Sequence, residues 1–375
     1  MARVLLAPDK FKGTLTAVQV AAHLAGGIRA RRPDADLVTI PVSDGGDGLL
    51  DAFAATGFTR VPVTAADAVG RPAATCYARR GGDAVVELAA VAGLARLGAG
   101  RAPLTATSRG AGEVIAAALD AGCTRIVLGI GGSASTDGGL GMVQALGGRV
   151  LDAGGGEAGP GGRGAQAAVR LSLAGLHPGL RRARIEVACD VDNPLTGPSG
   201  AAAVYGPQKG ATAADVRYLD AALAHWADLV AATTGADRRG QPGAGAAGGV
   251  GFAALAVLGA TLRPGVDLVL DLTGFAAALA GADLVITGEG SLDEQTLHGK
   301  APAGVAQAAR AASVRTVAVA GRCQLDARQL RAAGFDTVYT LLAESTRPGE
   351  ALAAPGPLLR RIGSRIAATL DGGRG

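Results

Sequence analysis

The chain has 375 residues, 49% of them hydrophobic and 18% charged, so it is long and apolar enough for two globular domains. Its net charge of +4 is spread along the chain, and its short arginine clusters lack interleaved aromatic residues, which disfavours nucleic-acid binding. No apolar run is long enough to span a bilayer and the four cysteines are far apart, so we expect a cytoplasmic protein with reduced thiols that binds neither nucleic acid nor membrane.

Short β-branched or leucine-rich runs alternate with alanine-rich helical patterns along the chain. The predicted strands are residues 4–7, 37–41, 126–130, 185–188, 284–287, 317–320 and 338–341. The predicted helices are residues 16–31, 108–121, 213–233, 301–311 and 357–370, and the glycine-rich stretches 147–164 and 238–249 are predicted loops. This alternation indicates an α/β fold with largely parallel sheets, in which ligands bind at the carboxyl ends of strands.

Lysine is rare in this chain, since only four of the 36 basic residues are lysine. Lys10, Lys12, Lys209 and Lys300 all lie in short segments rich in Gly, Pro or Asp. A lysine ammonium is a compact charge suited to single phosphate oxygens, whereas arginine is a planar fork. Their positions therefore favour phosphate contacts over the chance survival of tolerated lysines.

Acidic residues recur in short segments where predicted strands end, and three of the six are next to glycine. They are Asp44, Asp137, Asp190, Asp192, Glu289 and Asp293. Each alone is typical of an ordinary tight turn. Carboxylates that hold Mg²⁺, lysines that neutralise phosphate charge and glycine loops that cradle phosphate oxygens are together the components of phosphoryl transfer.

The segment GGSASTDGG, residues 131–139, is the densest of these motifs. It joins a predicted strand to a short helical run, so its backbone N–H groups and hydroxyls are suited to binding an anion. Simple capping of the helix is the alternative. Residues 243–249 form a second glycine loop before a helical run, where phosphate binding and close helix packing are equally good interpretations.

Three familiar nucleotide-binding signatures are missing from the sequence. It has no GxxxxGK[ST] P-loop, no protein-kinase HRD and DFG elements, and no GxGxxG after the first predicted strand. A kinase with this sequence must belong to another superfamily.

Long motifs along the chain carry a more specific similarity: APDKFKGTLTA, PVSDGGDG, TSRGAGEVI, GIGGSASTDGGLGM, ACDVDNPL, GPQKGA, PGAGAAGG and VITGEGSLDEQTLHGKAP. With them the chain resembles the bacterial glycerate kinase family of the glycerate 2-kinase type over essentially its whole length. The resemblance implies ATP-dependent phosphorylation of D-glycerate to 2-phosphoglycerate with Mg²⁺, while formation of 3-phosphoglycerate stays open. It also implies two dissimilar α/β domains, residues 1–70 with 280–375 and residues 71–279, with the active site in the cleft between them. The oligomeric state is open, with a homodimer as one alternative.

Roles for individual residues follow from the motifs and the resemblance together. The catalytic candidates are Asp44 or Asp137, as base or metal-organising acid, with Lys12 and Lys300 as phosphate clamps. The glycerate-binding candidates are Lys10, Ser133, Ser135 and Arg109. The nucleotide or phosphate candidates are Lys209, Gly131, Gly132, Gly245, Gly248 and Gly288. The metal candidates are Asp190, Asp192, Glu289 and Asp293. Ribose contacts are the alternative for the first two, and binding of a substrate hydroxyl is the alternative for the last two.

Two other function classes remain as alternatives. A non-catalytic protein that binds a nucleotide or a sugar acid would explain the glycine loops without the acidic residues. An NAD-dependent oxidoreductase acting on hydroxy acids fits the α/β pattern but lacks the dinucleotide fingerprint. The acidic motifs favour the kinase over the binding protein, and the missing fingerprint favours it over the oxidoreductase.

Overall fold

The structure is a computed structural model that describes residues 1–98 and 100–370 of the chain. Its strands, in chain order, are β1 (Arg3–Pro8), β2 (Asp36–Thr39), β3 (Thr59–Ala66), β4 (Pro72–Arg80), β5 (Asp83–Glu87), β6 (Arg125–Gly129), β7 (Arg149–Asp152), β8 (Ala168–Ser172), β9 (Arg184–Ala188), β10 (Thr261–Arg263), β11 (Leu284–Leu292), β12 (Arg315–Cys323) and β13 (Thr337–Thr340).

The α-helices lie mostly between parallel strands. They are α1 (Ala17–Arg31), α2 (Leu49–Ala54), α3 (Ala89–Ala92), α4 (Arg109–Asp120), α5 (Leu140–Ala145), α6 (Gly161–Ala167), α7 (Ala201–Tyr205), α8 (Ala213–Thr234), α9 (Ala246–Ala256), α10 (Gly265–Thr273), α11 (Phe275–Leu279), α12 (Ala301–Ala311), α13 (Ala327–Ala332), α14 (Leu341–Glu344), α15 (Glu350–Ala353) and α16 (Pro355–Ala368). Short 3₁₀ turns occupy Leu94–Leu97, Pro178–Arg181, Pro207–Lys209 and Glu294–His298. Among the helices of the described residues, none combines the length and the hydropathy of a membrane-spanning segment.

The first of two compact units comprises Met1–Asp44, Asp51–Gly57 and the chain from Gly265 onward. Its sheet is parallel throughout, in the order β13-β12-β11-β1-β2. The chain runs from β1 to β2 on one side and from β11 to β12 and β13 on the other, so the direction of connection reverses between β1 and β11. In open α/β sheets, ligands bind at the carboxyl ends of the strands beside such a switch point.

Both faces of this parallel sheet are covered by helices, as a fully buried sheet requires. Val4 and Leu6 of β1 pack with α1 and α16 in one core. Ala318 and Ala320 of β12 point to the other face, where they pack with Ala306 of α12. This two-sided burial explains why the sequence of these strands reads as continuous apolar runs rather than as alternation.

The second unit comprises Gly45–Leu50 and Phe58–Pro264. Its six-stranded sheet has the order β10-β9-β6-β5-β4-β3. Strands β10, β9, β6 and β5 pair in parallel, and β4 pairs antiparallel with both β5 and β3. Pro62 lies in β3, the edge strand, where its missing N–H breaks no ladder between central strands. A separate antiparallel pair joins β7 to β8.

The predicted α/β class with largely parallel sheets is confirmed, and each predicted strand and helix has a counterpart. The loop prediction for residues 147–164 is wrong, because they contain β7 and the start of α6, and the predicted loop 238–249 overlaps the first residues of α9. A second correction concerns Glu289, which lies inside β11 rather than after it.

The predicted domain boundaries, after residue 70 and after residue 279, differ from the boundaries of the two compact units. Strand β3 falls within the predicted first domain, yet it pairs along its whole length with β4 of the second unit. Helix α10 falls within the predicted second domain, yet it packs on α11 and α12 in the first unit.

Candidate functional site

Charged side chains gather at the carboxyl edge of the first unit's sheet, where β1 and β11 adjoin. We call Asp9, Lys10, Asp44, Glu289, Asp293 and Lys300 the switch-point cluster. Asp9 directly follows β1, and its backbone N–H donates to the Gly288 carbonyl at 2.8 Å. This bond extends the β1–β11 ladder by one step and fixes the first cluster residue against β11.

Lys10 lies between two carboxylates of the switch-point cluster. Its Nζ is 4.0 Å from Asp9 Oδ1 and 3.9 Å from Asp44 Oδ1. Asp9 is only 6% exposed, and burial raises the pKa of its carboxyl to about 7. The Lys10 charge opposes that rise in pKa, while the Asp44 and Glu289 carboxylates add to it.

Lys300 pairs with the other two carboxylates of the cluster. Its Nζ is 3.5 Å from Glu289 Oε2 and 3.6 Å from Asp293 Oδ1. The Thr296 hydroxyl donates to Glu289 Oε1 at 2.6 Å, and burial raises the pKa of Glu289 against the opposing effect of these partners. Because the Lys300 ammonium takes the place between the two acids, the prediction that both bind a metal directly does not fit this arrangement.

Lys12 is exposed in the turn that follows β1. The backbone of this turn lies against Gly290 of β11, where a β-carbon would stand 3.4 Å from the Lys12 nitrogen. Gly288 does not fit its predicted phosphate role, because it is buried and a β-carbon there would lie 1.8 Å from the Val319 carbonyl oxygen. Its glycine is required for packing β11 against β12.

A second cluster lies inside the second unit. We call Ser108, Ser133, Ser135, Asp137 and Lys209 the buried cluster. Asp137 has no exposed surface, and its carboxylate accepts hydrogen bonds from the Ser108 N–H and hydroxyl, both at 2.8 Å. It also accepts from the N–H groups of Gly139 at 3.0 Å and Gly141 at 3.3 Å. Burial raises the pKa of Asp137, and these four donors oppose the rise.

Lys209 is enclosed with Asp137, at 2% exposure. Its Nζ donates to the Ser135 carbonyl and to the Ser133 hydroxyl at 3.2 Å. Burial lowers the pKa of Lys209 to about 7, and the Asp137 charge acts in the opposite direction. Burial disfavours two of the predicted roles, because Asp137 has no exposed surface on which to act as a base and the Lys209 ammonium is turned inward rather than towards a phosphate.

The two serines predicted to contact glycerate are enclosed by the same packing. Ser133 is 6% exposed and Ser135 is fully buried. The Ser135 Oγ has no hydrogen-bond partner among the described residues. Neither hydroxyl offers an open face to a substrate, which disfavours the predicted glycerate contacts and favours a structural role.

The second glycine loop packs on the first through its backbone. The Gly138 N–H donates to the Gly248 carbonyl at 3.0 Å, and a β-carbon at Gly248 would lie 2.0 Å from the Ser135 carbonyl oxygen. A β-carbon at Gly245 would lie 2.2 Å from the Pro194 carbonyl oxygen. Close packing, rather than phosphate binding, accounts for Gly245 and Gly248.

Gly131 and Gly132 lie against the PVSDGGDG motif. β-Carbons at these positions would lie 2.7 Å from the Gly46 Cα and 2.7 Å from Asp47 Oδ1, respectively. Glu87 holds the same motif by accepting from the Gly48 N–H at 3.2 Å and the Leu50 N–H at 2.9 Å. Gly132 is exposed, so this is the part of the glycine loop that a phosphate can reach.

Asp190 and Asp192 are exposed in the segment after β9. Next to them the lone asparagine, Asn193, donates from Nδ2 to the Ser199 carbonyl at 2.8 Å and accepts from the Tyr205 hydroxyl at 2.5 Å. Within the described residues, no group of three or more His, Cys, Asp or Glu side chains has the spacing of a metal centre. Mg²⁺ needs only one or two protein carboxylates with substrate phosphates and water, so this pair fits the ion by its chemistry.

Arg109 begins α4 and is exposed. Its Nε donates to Glu113 Oε1 at 3.0 Å, an i,i+4 pair on the helix surface. It lines a cavity of about 370 Å³ in the second unit, together with Thr107, Gln144, Arg149 and Glu157 among other residues. A guanidinium in a cavity is suited to an anionic group, so the predicted role of Arg109 is compatible with its place.

Asp9 and Glu87 are site residues that the sequence reasoning missed. Both follow or end a buried strand, which is the signal that would have found them.

Comparison with known proteins assigns this chain to a family. The family model described as "Glycerate kinase family" matches residues 4–371. A glycerate kinase of Bacillus subtilis is 42% identical over 98% of this chain and 97% of its own length. A glycerate 2-kinase of Escherichia coli is 40% identical over 98% of both chains. A crystal structure assigned to glycerate kinase 2 from Salmonella typhimurium LT2 superposes with a TM-score of 0.87 at 43% identity, covering 99% of each chain.

These matches confirm the resemblance drawn from the motifs and the predicted enzyme class, a kinase that acts on glycerate. A kinase family implies ATP as the phosphate donor. With a family model spanning nearly all of it and relatives at about 40% identity, the chain belongs to the glycerate kinase family.

Proposed function

We propose that this enzyme transfers the γ-phosphoryl group of ATP to the 2-hydroxyl of D-glycerate, giving 2-phosphoglycerate and ADP, with Mg²⁺ as the metal. The position of transfer is supported by the Escherichia coli relative, which is a glycerate 2-kinase. Transfer to the 3-hydroxyl is the alternative within the same family. A cytoplasmic location and a homodimer stay predictions, and sedimentation of the purified enzyme tests the second.

The observation that carries the proposal is the place of the switch-point cluster. Four carboxylates and two lysines meet at the carboxyl ends of β1 and β11, the two strands between which the connectivity reverses. Phosphoryl transfer needs little covalent help from the protein beyond positioning and charge stabilisation. A mixed cluster of acids and lysines at a switch point provides both.

We assign Lys300 and Lys12 to the phosphate groups. Lys300 is held by Glu289 and Asp293 at more than 3.4 Å, distances longer than those of a direct hydrogen bond. Its side chain is 27% exposed, so the ammonium can turn towards a phosphate oxygen without leaving both acids. Lys12 is exposed and provides a second mobile charge on the β1 side.

We assign Asp190 and Asp192 to the metal. When bound, Mg²⁺ neutralises charge on the β- and γ-phosphate oxygens of ATP. Removal of the metal with EDTA should abolish turnover, and Asp192→Asn should raise the Mg²⁺ concentration needed for half-maximal rate. An unchanged Mg²⁺ requirement in that variant would move the metal site elsewhere.

The remaining assignments concern the second unit. Gly132, exposed beside Asp47, is kept as a phosphate contact, and Arg109 is kept for the glycerate carboxylate. Asp137 and Lys209 hold the glycine loop in shape and do not touch a ligand. Lys10 stays a candidate for binding the glycerate carboxylate, and the Asp44 carboxylate lies next to Lys10.

The test is a reaction of the purified enzyme with D-glycerate, ATP and Mg²⁺, in which ADP release is followed and the product is identified by NMR. We expect 2-phosphoglycerate, and glycerol, which lacks the carboxylate, serves as the control acceptor. A 3-phosphoglycerate product would overturn the regiochemistry alone. Stabilisation by ATP or glycerate without any turnover would favour the non-catalytic binding protein, and NADH-dependent absorbance changes would favour the oxidoreductase.

A further inference from the structure

The carboxyl of Asp9 is a buried acid to which the roles above give no task. Its Oδ1 accepts from the Lys10 N–H at 2.6 Å, which fixes the direction of the side chain. Its Oδ2 receives no hydrogen bond from any residue in the described part of the chain. One carboxylate oxygen is enough to hold the turn after β1. The turn therefore does not account for the second oxygen, Oδ2.

The position of Asp9 suits contact with a reacting group. It stands directly after β1, beside the switch point, and it is the cluster acid with the least exposed surface, 6%. The charged groups that act on it are Lys10, Asp44 and Glu289. A buried carboxyl with one fixed and one unpaired oxygen is oriented before any ligand arrives.

The protonation of Asp9 also suits a base. Burial raises its pKa to about 7, against the opposing charge of Lys10. A general base is most effective when its pKa lies near the working pH, because a useful fraction is ionised and the proton is still held firmly. Asp137 has no surface on which to act, and Asp44 shows no comparable burial.

We infer that Asp9 is the general base of the reaction, with Oδ2 taking the proton from the glycerate hydroxyl that becomes phosphorylated. This inference rests on the proposed kinase function. The hydroxyl oxygen forms a bond to the γ-phosphorus of ATP, and the bond from that phosphorus to the β–γ bridging oxygen breaks. The electron pair of the broken bond leaves with ADP, and the proton on Asp9 then passes to water.

The decisive variant is Asp9→Asn, which keeps the acceptor for the Lys10 N–H but cannot take a proton. We expect kcat to fall by about 10²-fold or more, while KM for D-glycerate changes by no more than about threefold. The acid limb of the kcat/KM profile near pH 7 should disappear. Asp36→Asn is the matched control, because Asp36 begins β2 of the same sheet and is exposed.

The outcomes separate this inference from the function on which it rests. An active wild type with an Asp9→Asn variant that retains more than about a tenth of kcat overturns the base assignment alone. Recovery of the variant by raised Mg²⁺ makes Asp9 a metal ligand and also overturns it. A folded wild type that releases no ADP overturns both. Should the variant fail to fold, the wild-type profile still decides, since a kcat/KM without an acid limb near pH 7 overturns the inference.

Discussion

The switch-point cluster and the buried cluster are built from the same side chains, aspartate and lysine, in opposite surroundings. In the switch-point cluster the lysines stand 3.5–4.0 Å from their acids and keep about a quarter of their side-chain surface. In the buried cluster Asp137 and Lys209 have almost no surface, and every oxygen of Asp137 is hydrogen-bonded at 2.8–3.3 Å. The first arrangement leaves charges available to a ligand. In the second, the charged groups are occupied by hydrogen bonds that stabilise the fold.

This difference shows that the sequence of an acid–glycine motif alone does not indicate whether its acid binds a ligand or stabilises the fold. SDGGDG and STDGG look alike as sequence, yet Asp44 is about a third exposed and Asp137 is enclosed. What separates them is a partner distant in sequence, since Ser108 at the start of α4 reaches across to Asp137. Matched substitutions in the two clusters can therefore test whether one cluster is catalytic and the other structural.

The largest effect is expected from Asp137→Asn. The amide replaces one acceptor oxygen by an NH2 group, which cannot accept from the facing N–H and hydroxyl donors, and the change leaves buried Lys209 without its counter-charge. We expect the free energy of unfolding to fall by about 3–5 kcal/mol. Urea denaturation measures this, with Asp44→Asn as the matched variant, for which we expect a loss below about 1 kcal/mol. If Asp137→Asn kept full stability and lost only kcat, the buried cluster would be catalytic after all.

Asp9→Asn should instead make the protein more stable at neutral and higher pH. The folded-state pKa of about 7 lies above the ordinary 3.8, so the stability that Asp9 provides is present below pH 4 and is lost as pH rises through 7. Asparagine does not titrate, so the advantage of the variant should grow by about 2–3 kcal/mol between pH 5 and pH 8. Denaturant titrations of both proteins at these two pH values measure the difference. An advantage that is independent of pH would mean that Asp9 is ionised freely in the folded state.

Lys300→Met should affect the rate and leave the fold almost untouched. The two ion pairs of Lys300 are partly exposed, so we expect the free energy of unfolding to change by less than about 1 kcal/mol. Loss of a charge that acts on the transferring phosphoryl group should lower kcat by about 10²-fold. Arg310→Met, on the exposed surface of α12, is the control and should stay within about twofold of wild type. A stability loss as large as that of Asp137→Asn would place Lys300 with the scaffold instead.

Much of the fold was predictable because local chemistry and tertiary structure agree. Helix α12 begins and ends where the pattern places it, with Pro302 in its first turn, and the apolar runs of β1, β11 and β12 mark a sheet covered on both faces. Strands β3 and β4 were missed because Pro62 and several arginines weaken their alternation of apolar and polar residues. The position of the site at strand ends was also predictable.

The roles within the site were less predictable than its position. Whether Lys209 meets a phosphate or the Ser135 carbonyl depends on contacts 74 residues apart in the chain, and no local pattern encodes such a contact. The same holds for Asp9, whose pKa is raised by burial and by the carboxylates of Asp44 and Glu289, both distant in the chain. Local motifs identify groups capable of chemistry, and packing decides which of them remain available for it.

The smallest effect, and the finest test of the switch-point cluster, is expected from Lys10→Met. Lys10 lowers the pKa of Asp9, so its removal should raise that pKa and move the acid limb of kcat/KM upward by about half to one pH unit. Lys10→Arg keeps the charge and should leave the limb nearly in place. A pH profile of each variant with saturating ATP measures the shift.

The same variants distinguish the two possible roles of Lys10, because each role affects a different kinetic parameter. If Lys10 grips the glycerate carboxylate, KM for glycerate rises at every pH, since an interaction of the ground state is lost. If Lys10 only tunes Asp9, KM stays constant and the limb alone moves. A limb that shifts downward in Lys10→Met contradicts the geometry, because a cation 4.0 Å from Asp9 Oδ1 can only favour its ionised form.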